Sequence, residues 1–118
     1  MNVTIYHNPR CSKSRETLAL LESRGISPEI VLYLEHPPAV SMLRKIARLL
    51  NRPPEAFVRF KEKTAKELGL KKDDVRTEAE WMTLMVENPV LIERPIVVVN
   101  GERAEIGRPP EAVLTLLK

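Results

Sequence analysis

Toward its C-terminal end the chain reads Arg94-Pro95-Ile96-Val97-Val98-Val99-Asn100-Gly101. Four β-branched residues in a row favour a strand, and Asn-Gly directly after them is the strongest short signal for a two-residue hairpin turn. Residues 103–106 make the return strand. A hairpin alone is marginal in water, so it needs a larger sheet to join. The start of the chain offers one. Residues 2–6 alternate and are rich in β-formers, and Ile30-Val31-Leu32-Tyr33-Leu34 is a continuous apolar run of strand length. Between them, residues 11–24 carry Leu18 and Leu21 at helical spacing and stop at Gly25, the usual residue just past a helix end. A β-α-β unit of this kind takes a right-handed crossover and makes its two strands parallel. Uninterrupted apolar runs are typical of strands covered on both faces, so residues 30–34 are expected at the centre of the sheet.

The middle of the chain is helical. Val40, Leu43, Ile46, Ala47 and Leu50 recur at helical spacing, and Pro53 bounds that helix. Pro53-Pro54 can start a short helix through Phe60, and residues 61–68 give a further turn or two before Gly69. Thr77 followed by Glu80 is a capping box, opening a helix through Trp81, Leu84 and Met85 that Asn88-Pro89 ends. Gly107-Arg108-Pro109-Pro110 leads into a last helix with Val113, Leu114 and Leu117 on its apolar side. The expected fold class is α/β, with a four-stranded mixed sheet in the order β-α-β … β-β-α. That is the thioredoxin/glutaredoxin layout. Residues 1–118 form a single domain with a helical insertion over about 52–89.

Composition narrows the function. With 19 Lys and Arg against 16 Asp and Glu the net charge is +3, but the basic residues interleave with acids, as in Lys61-Glu62-Lys63 and Lys71-Lys72-Asp73-Asp74. Such a pattern reads as a solvated face, and no RNA-binding aromatic signature accompanies it, so no nucleic-acid partner is expected. A small anionic substrate fits the modest positive excess. No apolar run reaches membrane-spanning length, and no secretion signal opens the chain. One cysteine and two histidines, not clustered, do not make a zinc site, and no metal is expected. A lone cysteine forms no internal disulfide, which points to a reducing cytoplasmic location.

That cysteine, Cys11, lies in His7-Asn8-Pro9-Arg10-Cys11-Ser12-Lys13-Ser14-Arg15, where a strand hands over to a helix. A free thiol of pKa about 8.5 is only a few per cent ionised at neutral pH. A helix N-terminus offers partial positive charge and free N–H groups from Ser12 onward, and Arg10, Lys13 and Arg15 add local cations. The same N–H groups can bind an anion beside the sulfur. Lone cysteines are often small buried hydrophobes, but this polar, cationic helix start favours a reactive thiolate. His7 ends the strand, either as a structural hydrogen-bonding group or as a group that tunes the thiol. Arg94 and Arg108 each precede a proline that stiffens the local backbone. An arginine there loses little entropy when it grips an oxyanion, although a surface arginine before a proline looks the same in sequence. Arg59, in Phe57-Val58-Arg59-Phe60, is equally explained by a snorkelling side chain.

Taken in order, Tyr6-His7-Asn8-Pro9 … Cys11 … Ser14-Arg15, Leu32-Tyr33-Leu34-Glu35 with Pro37-Pro38, Leu68-Gly69-Leu70, Arg94-Pro95-Ile96-Val97-Val98 and Arg108-Pro109 resemble the arsenate reductase (ArsC) family. The likeness is to its glutathione/glutaredoxin-coupled type, with a thioredoxin-like fold, and runs over essentially the whole chain. The resemblance implies that the Cys11 thiolate attacks arsenate and displaces water. Glutathione, a co-substrate and not a bound cofactor, then adds to the arsenic, and glutaredoxin drives reduction to arsenite. It implies that Arg59, Arg94 and Arg108 hold the oxyanion, that His7, Ser14 and Arg15 tune the thiolate, and that the Arg94–Pro95 bond is cis. Glutathione, glutaredoxin and a small oxyanion are the implied partners of a monomer. Two other classes share this layout. Spx-type regulators bind RNA polymerase, but their redox form needs C-x-x-C, and here the second position is Ser14. A monothiol glutaredoxin-like thiol transferase needs a glutathione groove, whereas the arginine cluster favours a smaller, more highly charged ligand.

Overall fold

The computed structural model describes residues 1–117. The chain forms two compact units, one from Met1–His36 and the segment from Arg94 onward, the other from Pro37–Glu93. The helical block expected over about 52–89 lies in the second unit, which also takes in the helix before it.

The first unit holds β1 (Val3–His7), α1 (Ser12–Ser23), β2 (Glu29–Leu32), β3 (Ile96–Val99), β4 (Arg103–Ile106) and a 3₁₀ helix, Pro110–Leu117. The strand order is β2-β1-β3-β4. β1 pairs parallel with β2 and antiparallel with β3, and β3 pairs antiparallel with β4. This is the mixed sheet, in a thioredoxin-like order, that the sequence predicts. Strand parity sets its core. Val3 and Ile5 lie opposite Val99 and Val97 in register. Leu21 of α1 joins them, with Val113 and Leu116 from the 3₁₀ helix. Burying each such side chain contributes roughly 1.5–3 kcal/mol. The same parity puts His7 on the α1 side, beneath that helix's first turn. The hairpin forms as expected, with φ of 55° at Asn100 and 64° at Gly101. Two successive positive φ values match the strand twist and favour Asn-Gly.

Two expectations fail. The apolar run 30–34 is not a central strand: β2 ends at Leu32 and forms a sheet edge, with Ile30 46 % and Leu34 42 % exposed. β1 and β3 occupy the centre, because the valine run of β3 pairs with β1 on one side and with its own hairpin partner on the other. Tyr33, past the strand end, turns inward and is buried. The last helix is 3₁₀, with three residues per turn, so the buried positions Pro110, Val113 and Leu116 fall three apart. Val113 is buried and Leu117 packs against the core as expected, while Leu116 joins the buried set and Leu114 is only half-buried.

In the second unit, α2 (Val40–Leu50) buries Leu43, Ile46, Ala47 and Leu50, as its spacing predicts. After it come a 3₁₀ turn over Pro54–Phe57, α3 (Lys63–Glu67), α4 (Glu78–Glu87) and a 3₁₀ turn over Pro89–Leu91. The capping box is present: the Glu80 N–H donates to Thr77 Oγ1 (3.1 Å), and the Thr77 N–H donates to Glu80 Oε1 (2.9 Å). Trp81 packs edge-on against Phe60 and carries Arg76 over its ring. Among the described residues no helix is long and apolar enough to cross a membrane.

Candidate active site

The loop between β1 and α1 is folded by its own polar groups. Asn8 accepts twice: its side-chain oxygen takes the Arg10 N–H (3.0 Å) and its carbonyl takes the Cys11 N–H (3.0 Å). An Asx turn of this kind tightens a backbone reversal. The Arg15 guanidinium reaches back from α1 to the Pro9 carbonyl (2.9 Å). Cys11 thus arrives at the N-cap of α1 with extended backbone, φ −95° and ψ 124°.

At that position the Cys11 side chain is 9 % exposed. Burial pushes its thiol pKa up. The Ser14 backbone N–H, a hydrogen bond and positive charge from Arg94, and the Lys13 backbone N–H pull it down, and the balance lies below the usual thiol value. Arg108 adds a long contact, Nη2 to Sγ at 3.6 Å, while its Nε donates to the Arg94 carbonyl at 2.8 Å. The structure therefore brings together Cys11, Arg94 and Arg108. Both X–Pro bonds at these arginines, Arg94–Pro95 and Arg108–Pro109, are cis. The resemblance implies the first, and nothing in the sequence singled out the second.

The three tuning candidates are placed differently. His7 meets Ser14 and not the sulfur: Nδ1 lies 2.6 Å from Ser14 Oγ, which also accepts the Asn8 N–H at 3.0 Å. Burial, then the charge of Arg15, lowers the His7 pKa, so the ring is neutral at neutral pH. A neutral Nδ1 accepting the Ser14 proton leaves the Ser14 oxygen to accept the Asn8 N–H. Ser14 is fully buried, and its backbone N–H is the donor that most lowers the thiol pKa. Arg15 acts on the loop through Pro9, and Lys13 points outward to Glu16 (3.5 Å). Arg59 belongs to the second unit, where Nε meets Glu62 (3.1 Å) and Nη1 meets Glu93 (2.7 Å).

Three supporting residues escaped sequence reasoning. Asn8 shapes the loop, and the Asn-Pro pair ahead of the nucleophile is the signal for it. Thr17 is fully buried and donates to the Lys13 carbonyl (2.8 Å). It falls on the stripe Ser14, Thr17, Leu21, visible by stepping back from Leu21 at helical spacing. Gly107 packs so tightly that a Cβ there would strike the Thr17 hydroxyl and come within 2.8 Å of the Pro95 ring. Among the described residues, no group of three or more His, Cys, Asp or Glu side chains could hold a metal ion.

This arrangement resembles known proteins over nearly its full length. The ArsC family model matches residues 6–116. YfgD of Escherichia coli strain K12, an uncharacterised protein, is 52 % identical over 98 % of this chain and 96 % of its own length. An arsenate reductase of Haemophilus influenzae is 50 % identical over 99 % of this chain and all of its own. The solved structure of an arsenate reductase from Vibrio cholerae superposes with a TM-score of 0.91 at 51 % identity, covering 98 % of this chain and 97 % of that one.

Proposed function

The chain belongs to the ArsC family, and from that premise we propose that it reduces arsenate to arsenite through the Cys11 thiolate. One observation supports this above the rest: the Arg94 and Arg108 guanidinium groups converge on a sulfur whose pKa the Ser14 and Lys13 N–H groups help to depress. An anionic nucleophile can approach an anionic tetrahedral substrate only if charge on the oxygens is neutralised first. Guanidinium forks suit those oxygens, and pre-oriented donors need no reorganisation during the reaction. Arg94 and Arg108 take that role. Arg59 is assigned the third position by the family resemblance.

The thiolate forms an S–As bond as a protonated arsenate oxygen leaves as water. Glutathione adds to the arsenic, and a glutaredoxin thiol takes up the glutathione sulfur while the arsenic gains two electrons. Hydrolysis of the remaining S–As bond frees arsenite and Cys11. In sum, arsenate and two thiols give arsenite, one mixed disulfide and water. We place this chemistry in the reducing cytoplasm, which keeps a lone thiol available, and in a monomer. Purified protein supplied with arsenate, glutathione and glutaredoxin is expected to release arsenite. Equal rates from wild type and Cys11→Ser would overturn the proposal.

A further inference from the structure

Beside the loop that ends at Cys11 lies a cleft of about 310 Å³. Asn8, Pro9 and Arg10 line one part of it, and Leu32, Leu34 and Glu35, from the end of the edge strand β2, line another. That volume is at the low end for small-ligand sites. Leu34 is 42 % exposed, so apolar surface is left open to water. Arg10 and Glu35 are both exposed, and neither side chain makes an ion pair or hydrogen bond with another described residue. Around the same loop, Arg15 is engaged with Pro9 and Lys13 with Glu16, while Arg108 holds the Arg94 carbonyl. A cation and an anion beside apolar surface, next to a nucleophile, complement a ligand that is itself zwitterionic, partly apolar and thiol-bearing.

We propose that this cleft seats the peptide thiol glutathione, its carboxylate on Arg10, its ammonium on Glu35 and its peptide body against Leu32 and Leu34. The assignment rests on the reductase reading, because it gives a place to the thiol that reading requires. Pro9 and Arg10 run directly into Cys11 in the chain, so a peptide seated here lies against the loop that carries the nucleophile. Tethering it this way raises its effective concentration there without any change to the oxyanion ligands.

S-methylglutathione, which cannot react, is the direct probe. Titrated into the wild-type protein and followed by amide NMR, it is expected to shift residues 7–10 and 32–35 saturably. Arg10→Glu is expected to abolish those shifts. No saturable shift, or shifts confined to other residues, overturns the assignment. In the arsenate assay, Arg10→Glu and Glu35→Lys are each expected to raise KM for glutathione about fivefold to tenfold while KM for arsenate stays within about twofold. An unchanged KM for glutathione in both variants likewise overturns it. The two readings can fail separately. Saturable binding in the cleft without arsenite release sinks the reductase reading and leaves the cleft assigned, and arsenite release without that binding does the reverse.

Discussion

Burial pushes the Cys11 thiol pKa up, and the Ser14 N–H, Arg94 and the Lys13 N–H outweigh it, so the net shift is downward. Because alkylation proceeds through the thiolate, the rate of Cys11 modification by iodoacetamide should fall away on the acid side with a midpoint below that of a free thiol. Arg94→Ala removes both a hydrogen bond and a charge while the burial stays, so the midpoint should move up. Arg108→Ala should move it less, since its contact is long, at 3.6 Å. A profile unchanged in Arg94→Ala would refute the electrostatic account. The sequence carried much of this site. Cys11 was legible because a thiol at a strand-to-helix handover is a recognisable environment. Arg94 and Arg108 were ambiguous from spacing, since a guanidinium before proline looks the same in water or on a ligand, and only tertiary proximity separates the two. His7 was readable as a strand end but not as a partner of Ser14. That pairing needs the strand's parity and the helix's stripe to be known together.

At the scale of elements, one register pair measures what sheet position is worth. Ile5 on β1 and Ile30 on β2 are direct partners, yet Ile5 is fully buried and Ile30 is 46 % exposed. Ile5→Ala should cost about 2–5 kcal/mol, from lost transfer energy plus the cavity left behind. Ile30→Ala, at an open edge, should stay within about 0.5 kcal/mol. Urea denaturation of both variants checks this, and similar losses would mean that β2 is covered in solution. The same pair explains the misplaced strand. An unbroken apolar run tells of strand length and propensity, but its neighbours are chosen by the long-range pairing of β1 with β3, which no local window contains. The hairpin, the Gly25 stop and the Thr77–Glu80 box were legible because each is settled within a few residues. The 3₁₀ pitch of Pro110–Leu117 was not, since Leu114, Leu116 and Leu117 fit either period until packing against Val3, Ile5 and Val99 selects one.

For the molecule as a whole, a bound oxyanion should appear as added stability, because it binds the folded chain and not the unfolded one. At a concentration 100 times its Kd, such a ligand contributes about 2.7 kcal/mol. A net charge of +3 would also attract anions without any site, and sulfate stabilises many proteins by exclusion from their surface. Neither effect depends on one guanidinium, so variants compared at fixed ionic strength separate them from specific binding. Arsenate should stabilise Cys11→Ser at least as strongly as wild type above the thiol pKa, since serine removes a negative charge from the same pocket while Arg94 and Arg108 remain. Arg94→Ala should lose most of the gain. Unfolding free energies from urea titrations, with and without arsenate and with no thiol present, test both statements. Equal stabilisation of wild type and Arg94→Ala would assign the effect to general charge and leave the sulfur without its oxyanion partner.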